Sequence, residues 1–202
     1  MCVVESGESI IKNVKINDDG SKLRITFDWP VGVQQVYVFA SSLDIFDIHH
    51  VNLTSDGKLF TLQEYKKLGG YVTEKNQGEM HYYIYPFIRE DGKDILVNQP
   101  ETSGNSVKFI DKTMIRCQIR EKSRWSKYKN YEITLEANYP VQEKILCYVK
   151  KKNEPPRDIS DGTLYYWNDT INSGQTVRRI VRTLKNEHMR MFVRDEVMYG
   201  IV

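Results

Sequence analysis

The sequence predicts an all-β protein that is built as two antiparallel β-sandwiches in tandem. Apolar and polar residues alternate with a period of two along several short segments, which is typical of half-buried strands. Turn-forming residues separate these segments at short intervals, as they do in sandwich folds. Neither half contains the long amphipathic helix that a parallel βαβ crossover needs, so we expect antiparallel sheets.

The first half opens with a predicted β-hairpin. Residues 17–20 (Asn-Asp-Asp-Gly) have turn chemistry and separate the strand segments 10–16 and 23–29. The oxygens of this turn could bind calcium. However, the turn lacks the ligand spacing and the closing glutamate of an EF-hand loop, so its turn chemistry is a sufficient explanation.

Four further elements are predicted before residue 100. Apolar periodicity and turn residues predict strands over residues 35–40, 80–88 and 95–98, and a short helix over 62–68 that Gly69 and Gly70 end. In the strand over residues 35–40, valines occupy one face and aromatic residues the other.

The second half repeats this plan. Period-two alternation predicts strands over residues 113–120, 131–137, 145–149 and 189–194. Residues 131–135 align with residues 22–27 as the second strand of each half. Residues 177–184 have helix-like apolar spacing, but their β-branched content and the surrounding strands favour a strand.

A domain boundary is predicted within residues 103–112, where a polar segment precedes a new series of strands. We therefore expect a first domain over residues 1–106 and a second over 107–202. Residues 1–110 contain 11 Lys and Arg with 15 Asp and Glu, a net charge of −4, whereas residues 111–202 contain 18 and 12, a net charge of +6. The total of +2 therefore conceals a basic second half.

The first half resembles a fibronectin type III or related immunoglobulin-like domain. Residues 23–30, which end in Trp29 and Pro30, resemble the second strand of that family with its core tryptophan. The tyrosine-rich residues 82–88 and the turn at 90–92 resemble its tyrosine-bearing strand. The second half lacks the tryptophan, so its membership depends on the internal repeat. The resemblance implies two such sandwiches in tandem, in a family that serves mostly in adhesion, spacing and binding.

Composition excludes several classes of protein. With 40% hydrophobic and 28% charged residues, the chain has too much apolar material for a disordered protein. No uninterrupted apolar run exceeds five residues, so no membrane span is predicted. If Met1 is the natural start, the lack of a signal-peptide pattern predicts a cytoplasmic protein.

Cys2, Cys117 and Cys147 form no C-x-x-C pair, so buried reduced thiols are favoured over a disulfide between Cys117 and Cys147.

No catalytic residue, metal or cofactor is predicted. His49 and His50 lie close to Asp44 and Asp47, but adjacent strand residues point to opposite faces, so polar loop residues are favoured over metal ligands. The sequence contains no G-x-S-x-G, P-loop or H-E-x-x-H motif. A non-enzymatic role is therefore favoured, although a hydrolase with paired acids stays open.

The candidate binding residues lie in the basic half, which contains nine of the arginines. Residues 124–129 interleave cations with aromatic residues, and three arginines cluster over 178–182. Such patterns suit contacts with carboxylates, phosphates or sugars, but a solvated or interdomain face gives the same pattern. The predicted binding residues are Trp125, Lys127, Tyr128, Tyr166, Arg178 and Arg182.

The sequence thus favours a non-catalytic binding or scaffolding module that acts through protein–protein interaction. A carbohydrate-binding or glycoside-hydrolase-associated module is the alternative, because residues 164–167 and the other clustered tyrosines could form a platform for a glycan. Nucleic acid is the least favoured partner, since a patch of charge alone is not specific.

Overall fold

The structure is a computed structural model that describes residues 2–4, 9–44, 46–100, 102–122 and 127–202. Strands account for 56% of the described residues, which contain one α-helix, so the all-β prediction is confirmed. The chain divides into two compact units, Met1–Asp111 and Lys112–Val202. None of the helices in the described ranges is long and apolar enough to cross a bilayer.

The first unit contains two sheets. One has the strand order β2-β3-β6, and the other has the order β1-β8-β7-β4-β5, with β9 also paired to β7. The elements are β1 Cys2–Val4, β2 Lys12–Asp18, β3 Lys22–Asp28, β4 Gln35–Ser41, a 3-10 helix Ile48–His50, β5 Gly57–Thr61, α1 Leu62–Leu68, β6 Tyr71–Glu74, β7 Gly78–Glu90, β8 Lys93–Val97 and β9 Ser106–Asp111.

The predicted hairpin and the predicted helix are both present. Strands β2 and β3 pair antiparallel around the turn, where Asp18 accepts a hydrogen bond from the Gly20 amide at 2.8 Å. Helix α1 begins at a capping box in which Thr61 and Glu64 bond each other's backbone amides. It ends at Gly69, whose φ of 69° is the left-handed conformation that glycine adopts without strain.

Both faces of the central strands β4 and β7 of the larger sheet are covered. On the inner face, the valines of β4 pack with the apolar side chains of β3 and β7 between the two sheets. On the outer face, Phe39, Tyr85 and Phe87 form a separate cluster, which Phe46 and Ile48 of the following loop cover. The predicted separation of valines from aromatic residues is thus present, and a loop buries the aromatic side.

The second unit also contains two sheets. Their strand orders are β14-β11-β10-β16 and β13-β12-β15, and their core includes Leu135, Leu146, Trp167 and Val181. Residues 177–184 form a strand, as predicted. The elements are β10 Thr113–Glu121, β11 Tyr128–Ala137, β12 Leu146–Lys152, β13 Thr163–Tyr166, β14 Val177–Leu184, β15 Glu187–Val193 and β16 Tyr199–Ile201.

Not every strand pair is antiparallel, although antiparallel sheets were expected. Strand β1 pairs parallel with β8, and β16 pairs parallel with β10, over three residues each. In each pair the two strands lie far apart in sequence, so most of the unit's chain serves as the crossover that a parallel pair needs.

Cys117 and Cys147 are free thiols that lie in different sheets of the second unit. Cys147 on β12 is buried, and Cys117 on β10 is half-buried. Burial raises the pKa of the Cys117 thiol to about 11, so it is protonated and unreactive at neutral pH.

Candidate functional site

One face of the sheet that contains β10, β11 and β14 is exposed and basic. Along β10 and β14, core residues alternate with exposed residues, and the exposed positions carry most of the cations. We call the set of Arg116, Arg120, Lys122, Arg178 and Arg182 the cationic face.

Strand register brings the cations at β10 close to the cations of β14. Arg120 lies opposite Glu132 on β11, and Glu132 lies opposite Ile180 on β14. One step along, Arg182 lies opposite Asn130, whose carbonyl accepts the Lys122 amide at 2.8 Å. Cations that are about 60 residues apart in sequence are therefore separated by a single intervening strand, a spacing of about 10 Å.

Carboxylates neutralise only part of this charge. Lys122 pairs with Glu132 at 3.0 Å, and Arg116 approaches Glu136 at 4.0 Å. Within residues 102–122 and 127–202, Arg120, Arg178 and Arg182 have no carboxylate at salt-bridge distance, so three guanidinium groups are left to face solvent or a partner.

Tyr128 adds an aromatic side chain beside Arg182. The Arg182 guanidinium lies 5.4 Å from the centre of the Tyr128 ring, and the Lys127 ammonium lies 6.0 Å from it. Tyr128 is 37% exposed, and Ile180, two positions before Arg182 on the same face of β14, is 66% exposed. Stacking on the ring restricts the Arg182 side chain, so less entropy is lost when it binds an acceptor.

The structure brings four of the six predicted binding residues to this surface. Lys127, Tyr128 and Arg182 are in contact, and Arg178 lies on the same face of β14. Trp125 lies outside the described residues. Tyr166 lies on the other sheet, where it contacts a different arginine, Arg194, at 5.3 Å.

The aromatic residues of β13 do not form one platform. Tyr165 stacks on Tyr148 with ring centres 5.1 Å apart, whereas Tyr166 points to the opposite side of the strand. Trp167 is buried in the core with 1% exposure, and Arg179 covers its ring at 4.6 Å. Arg179 also pairs with Asp169, so it does not belong to the cationic face.

The sequence candidates for metal binding are engaged in local contacts. Asp47 caps the 3-10 helix and contacts the His50 ring nitrogen at 2.7 Å, and this contact, with the His49 amide, holds the pKa of Asp47 below its usual range. Asp18 in the hairpin turn accepts a hydrogen bond from Lys75 at 2.7 Å. Across the described ranges, no three His, Cys, Asp or Glu side chains are grouped as metal ligands.

The sequence reasoning missed Lys122 and Ile180 as members of this surface. Lys122 follows the predicted strand, and Ile180 belongs to the helix-like apolar spacing of residues 177–184. The alternation that starts at Arg116 continues through Lys122, and a strand assignment for residues 177–184 places Ile180 on the side of Arg178 and Arg182.

Comparison with known protein families and with curated proteins gives no match to this chain. Among solved structures, the chain is similar to chitinase ChiA74 from Bacillus thuringiensis, with a TM-score of 0.25 and 13% sequence identity. The similarity covers 89% of this chain and 28% of the chitinase chain, so the chain spans less than a third of that protein.

Proposed function

We propose that the protein is a non-catalytic binding module that holds an acidic surface of a partner protein on its cationic face. The observation that carries this proposal is the group of three arginines without carboxylate partners, Arg120, Arg178 and Arg182, next to exposed Tyr128 and Ile180.

The chemistry of this surface favours a protein partner. Arginine and tyrosine are enriched in protein interfaces, where they often contribute most of the binding energy. A guanidinium group makes two parallel hydrogen bonds to a carboxylate, and the exposed Ile180 side chain gives a partner an apolar group to bury. A face that served only to prevent aggregation would need the charges but not this isoleucine.

We also propose that each unit is an immunoglobulin-like domain of the fibronectin type III kind, with a boundary within residues 106–112. The strand orders support this proposal. Counted from β2 in the first unit and from β10 in the second, strands one, two and five share one sheet, and strands three, four and six share the other. The seventh strand differs, because β8 and β9 pair with β7 whereas β16 pairs with β10.

Charge reversal tests the binding proposal. The full chain is immobilised, proteins captured from its host lysate are identified by mass spectrometry, and the leading candidate is purified for affinity measurements. The double variant Arg178→Glu/Arg182→Glu is expected to weaken binding at least about tenfold, because each arginine then repels the acidic partner. Affinity should also fall as the salt concentration rises.

The matched control is Arg190→Glu/Arg194→Glu, which makes the same change of charge on the other sheet of the same unit. This variant should bind the partner within about threefold of the unchanged chain, because it leaves the cationic face intact. Equal loss in both double variants, or no loss in either, would contradict the proposal. Loss of capture after nuclease treatment would identify nucleic acid as the partner instead.

A further inference from the structure

The first unit contains a cleft of about 470 Å³ on the outer side of its larger sheet. Strand β7 pairs with β8 through residues 87–90 and with β9 through residues 78–83, and the chain between β8 and β9 leaves the sheet. This connection forms one wall of the cleft, and residues 46–49 form the other. The volume lies within the range of about 300 to 1,000 Å³ that is usual for small-molecule sites.

The floor and one wall of the cleft are aromatic. Tyr83 and Tyr85 of β7 lie at the bottom, and Phe46 stacks on Tyr83 with ring centres 4.6 Å apart and planes inclined by 16°. Phe46 and Tyr83 are half-buried, so parts of both rings face the cleft. Phe46 also stacks on Tyr85 with ring centres 5.8 Å apart, so the three rings form a fixed apolar surface whose exposed parts can pack against the C–H groups of a ring-shaped ligand.

The rim of the cleft is polar but not basic. Asn98, Asn105, Ser106, Asp47 and His49 contribute hydrogen-bonding groups, and the lining that the structure describes contains no lysine or arginine. The pKa of Asp47 is lowered by its contact with His50, so its carboxylate is charged at neutral pH. Since the described lining has no lysine or arginine to attract an anion, this carboxylate disfavours an anionic ligand and favours a neutral one that donates hydrogen bonds.

Internal hydrogen bonds hold both walls in place. Buried Gln99 accepts the Ile11 amide at 2.8 Å, and Asn105 donates to the Ile84 carbonyl at 3.0 Å. On the other wall, the Tyr83 hydroxyl donates to the Asp44 carbonyl at 2.8 Å. Because these bonds join the walls to the rest of the unit, little conformational entropy remains to be lost on binding.

We propose that this cleft binds a neutral saccharide. The aromatic floor suits the C–H face of a pyranose ring, and the amide, carboxylate and imidazole groups of the rim suit its hydroxyls. This site is separate in sequence from the cationic face and does not depend on the proposed protein partner.

The test is an NMR titration of the full ¹⁵N-labelled chain with four neutral sugars, the methyl glycosides of glucose, galactose and mannose, and N-acetylglucosamine. At least one sugar is expected to shift the amide signals of residues 46–49, 83 and 105–106. The variant His49→Ala should weaken that binding at least about fivefold, as expected for one lost hydrogen bond. The control His188→Ala makes the same change on β15 of the second unit, away from the cleft, and should bind within about twofold.

Three results would overturn the proposal: no shifts with any of the four sugars at millimolar concentration, shifts that map outside the cleft, or stronger binding of glucuronate than of methyl glucoside. His49 is exposed and His188 is half-buried, and the spectra of both variants without sugar show directly whether the fold is retained. The variant Arg178→Glu/Arg182→Glu should bind sugar unchanged, which separates a failure of this proposal from a failure of the protein-binding proposal.

Discussion

A single hydroxyl group joins helix α1 to strand β3, and its removal should destabilise the first unit. The Tyr65 hydroxyl accepts the Phe27 amide at 2.9 Å and donates to the Phe27 carbonyl at 2.6 Å. Strand β6 pairs with residues 22–25 of β3 and does not extend beyond Ile25. Tyr65 therefore occupies the place that the next residues of a longer β6 would take. The substitution Tyr65→Phe keeps the ring that packs against Phe27, Trp29 and Phe60.

The expected cost follows from the two backbone groups that lose their partner. A buried group left without a hydrogen bond costs about 1–3 kcal/mol. Tyr65 is half-buried, so water can reach part of the site, and we expect a total near the low end, about 2–3 kcal/mol. This corresponds to a roughly 30- to 150-fold larger unfolding constant. Urea unfolding followed by the NMR signal of the Trp29 indole, which donates to the Val33 carbonyl, measures it within the first unit.

Tyr82→Phe is the matched control in the same core. The Tyr82 hydroxyl is buried, and it has no hydrogen-bond partner within the part of the chain that the structure describes. Removing it should leave stability unchanged or raise it by up to about 1 kcal/mol, because a desolvated hydroxyl is eliminated without loss of a bond. The reasoning is refuted if Tyr65→Phe changes stability by less than about 0.5 kcal/mol, or if both substitutions destabilise equally.

Three further outcomes are expected. Because burial raises the pKa of Cys117 to about 11, iodoacetamide at pH 8 should modify it far more slowly in the folded chain than in urea, as measured by peptide mass spectrometry. The ion pair with Lys108 is the main cause of the lowered pKa of Glu79, so Glu79 contributes stability that is lost as pH falls through its folded-state pKa. Lys108→Met should raise that pKa, as carboxyl NMR would show, and reduce the loss of stability on acidification. Expressed separately, residues 1–111 and 112–202 should each give the dispersed NMR spectrum of a folded domain.

Sequence patterns were enough to predict those elements whose structure depends on residues close to each other in the sequence. The turn at residues 17–20 and the helix that ends at Gly69 are specified by residues within a few positions of each other. Residues 177–184 were ambiguous because β-branched side chains followed helix spacing. Pairing with β11 resolves the ambiguity, and that partner lies about 50 residues away in sequence.

Features that depend on distant segments could not be predicted in this way. The alternative hypothesis of a glycan platform needed an exposed Trp167, but Trp167 is buried because Arg179 covers it and the core surrounds it. The outer face of β4 is buried because Phe46 folds back over it. For the candidate site, the sequence indicated Arg178, Arg182 and Tyr128 separately, and only the register of three strands shows that they share one surface.

The cationic face also implies a relation between binding and stability. Arg178 and Arg182 lie on either side of exposed Ile180 on one strand face, and neither forms a salt bridge within the described residues. A group of cations without carboxylate partners contributes little to stability and is expected where a surface serves function. The variant Arg178→Glu/Arg182→Glu places carboxylates beside the remaining cations of the face, so it should unfold at an equal or higher urea concentration while it loses partner capture. If the variant is instead markedly less stable, these arginines support the fold, and the weaker capture would follow from unfolding and not from a lost contact.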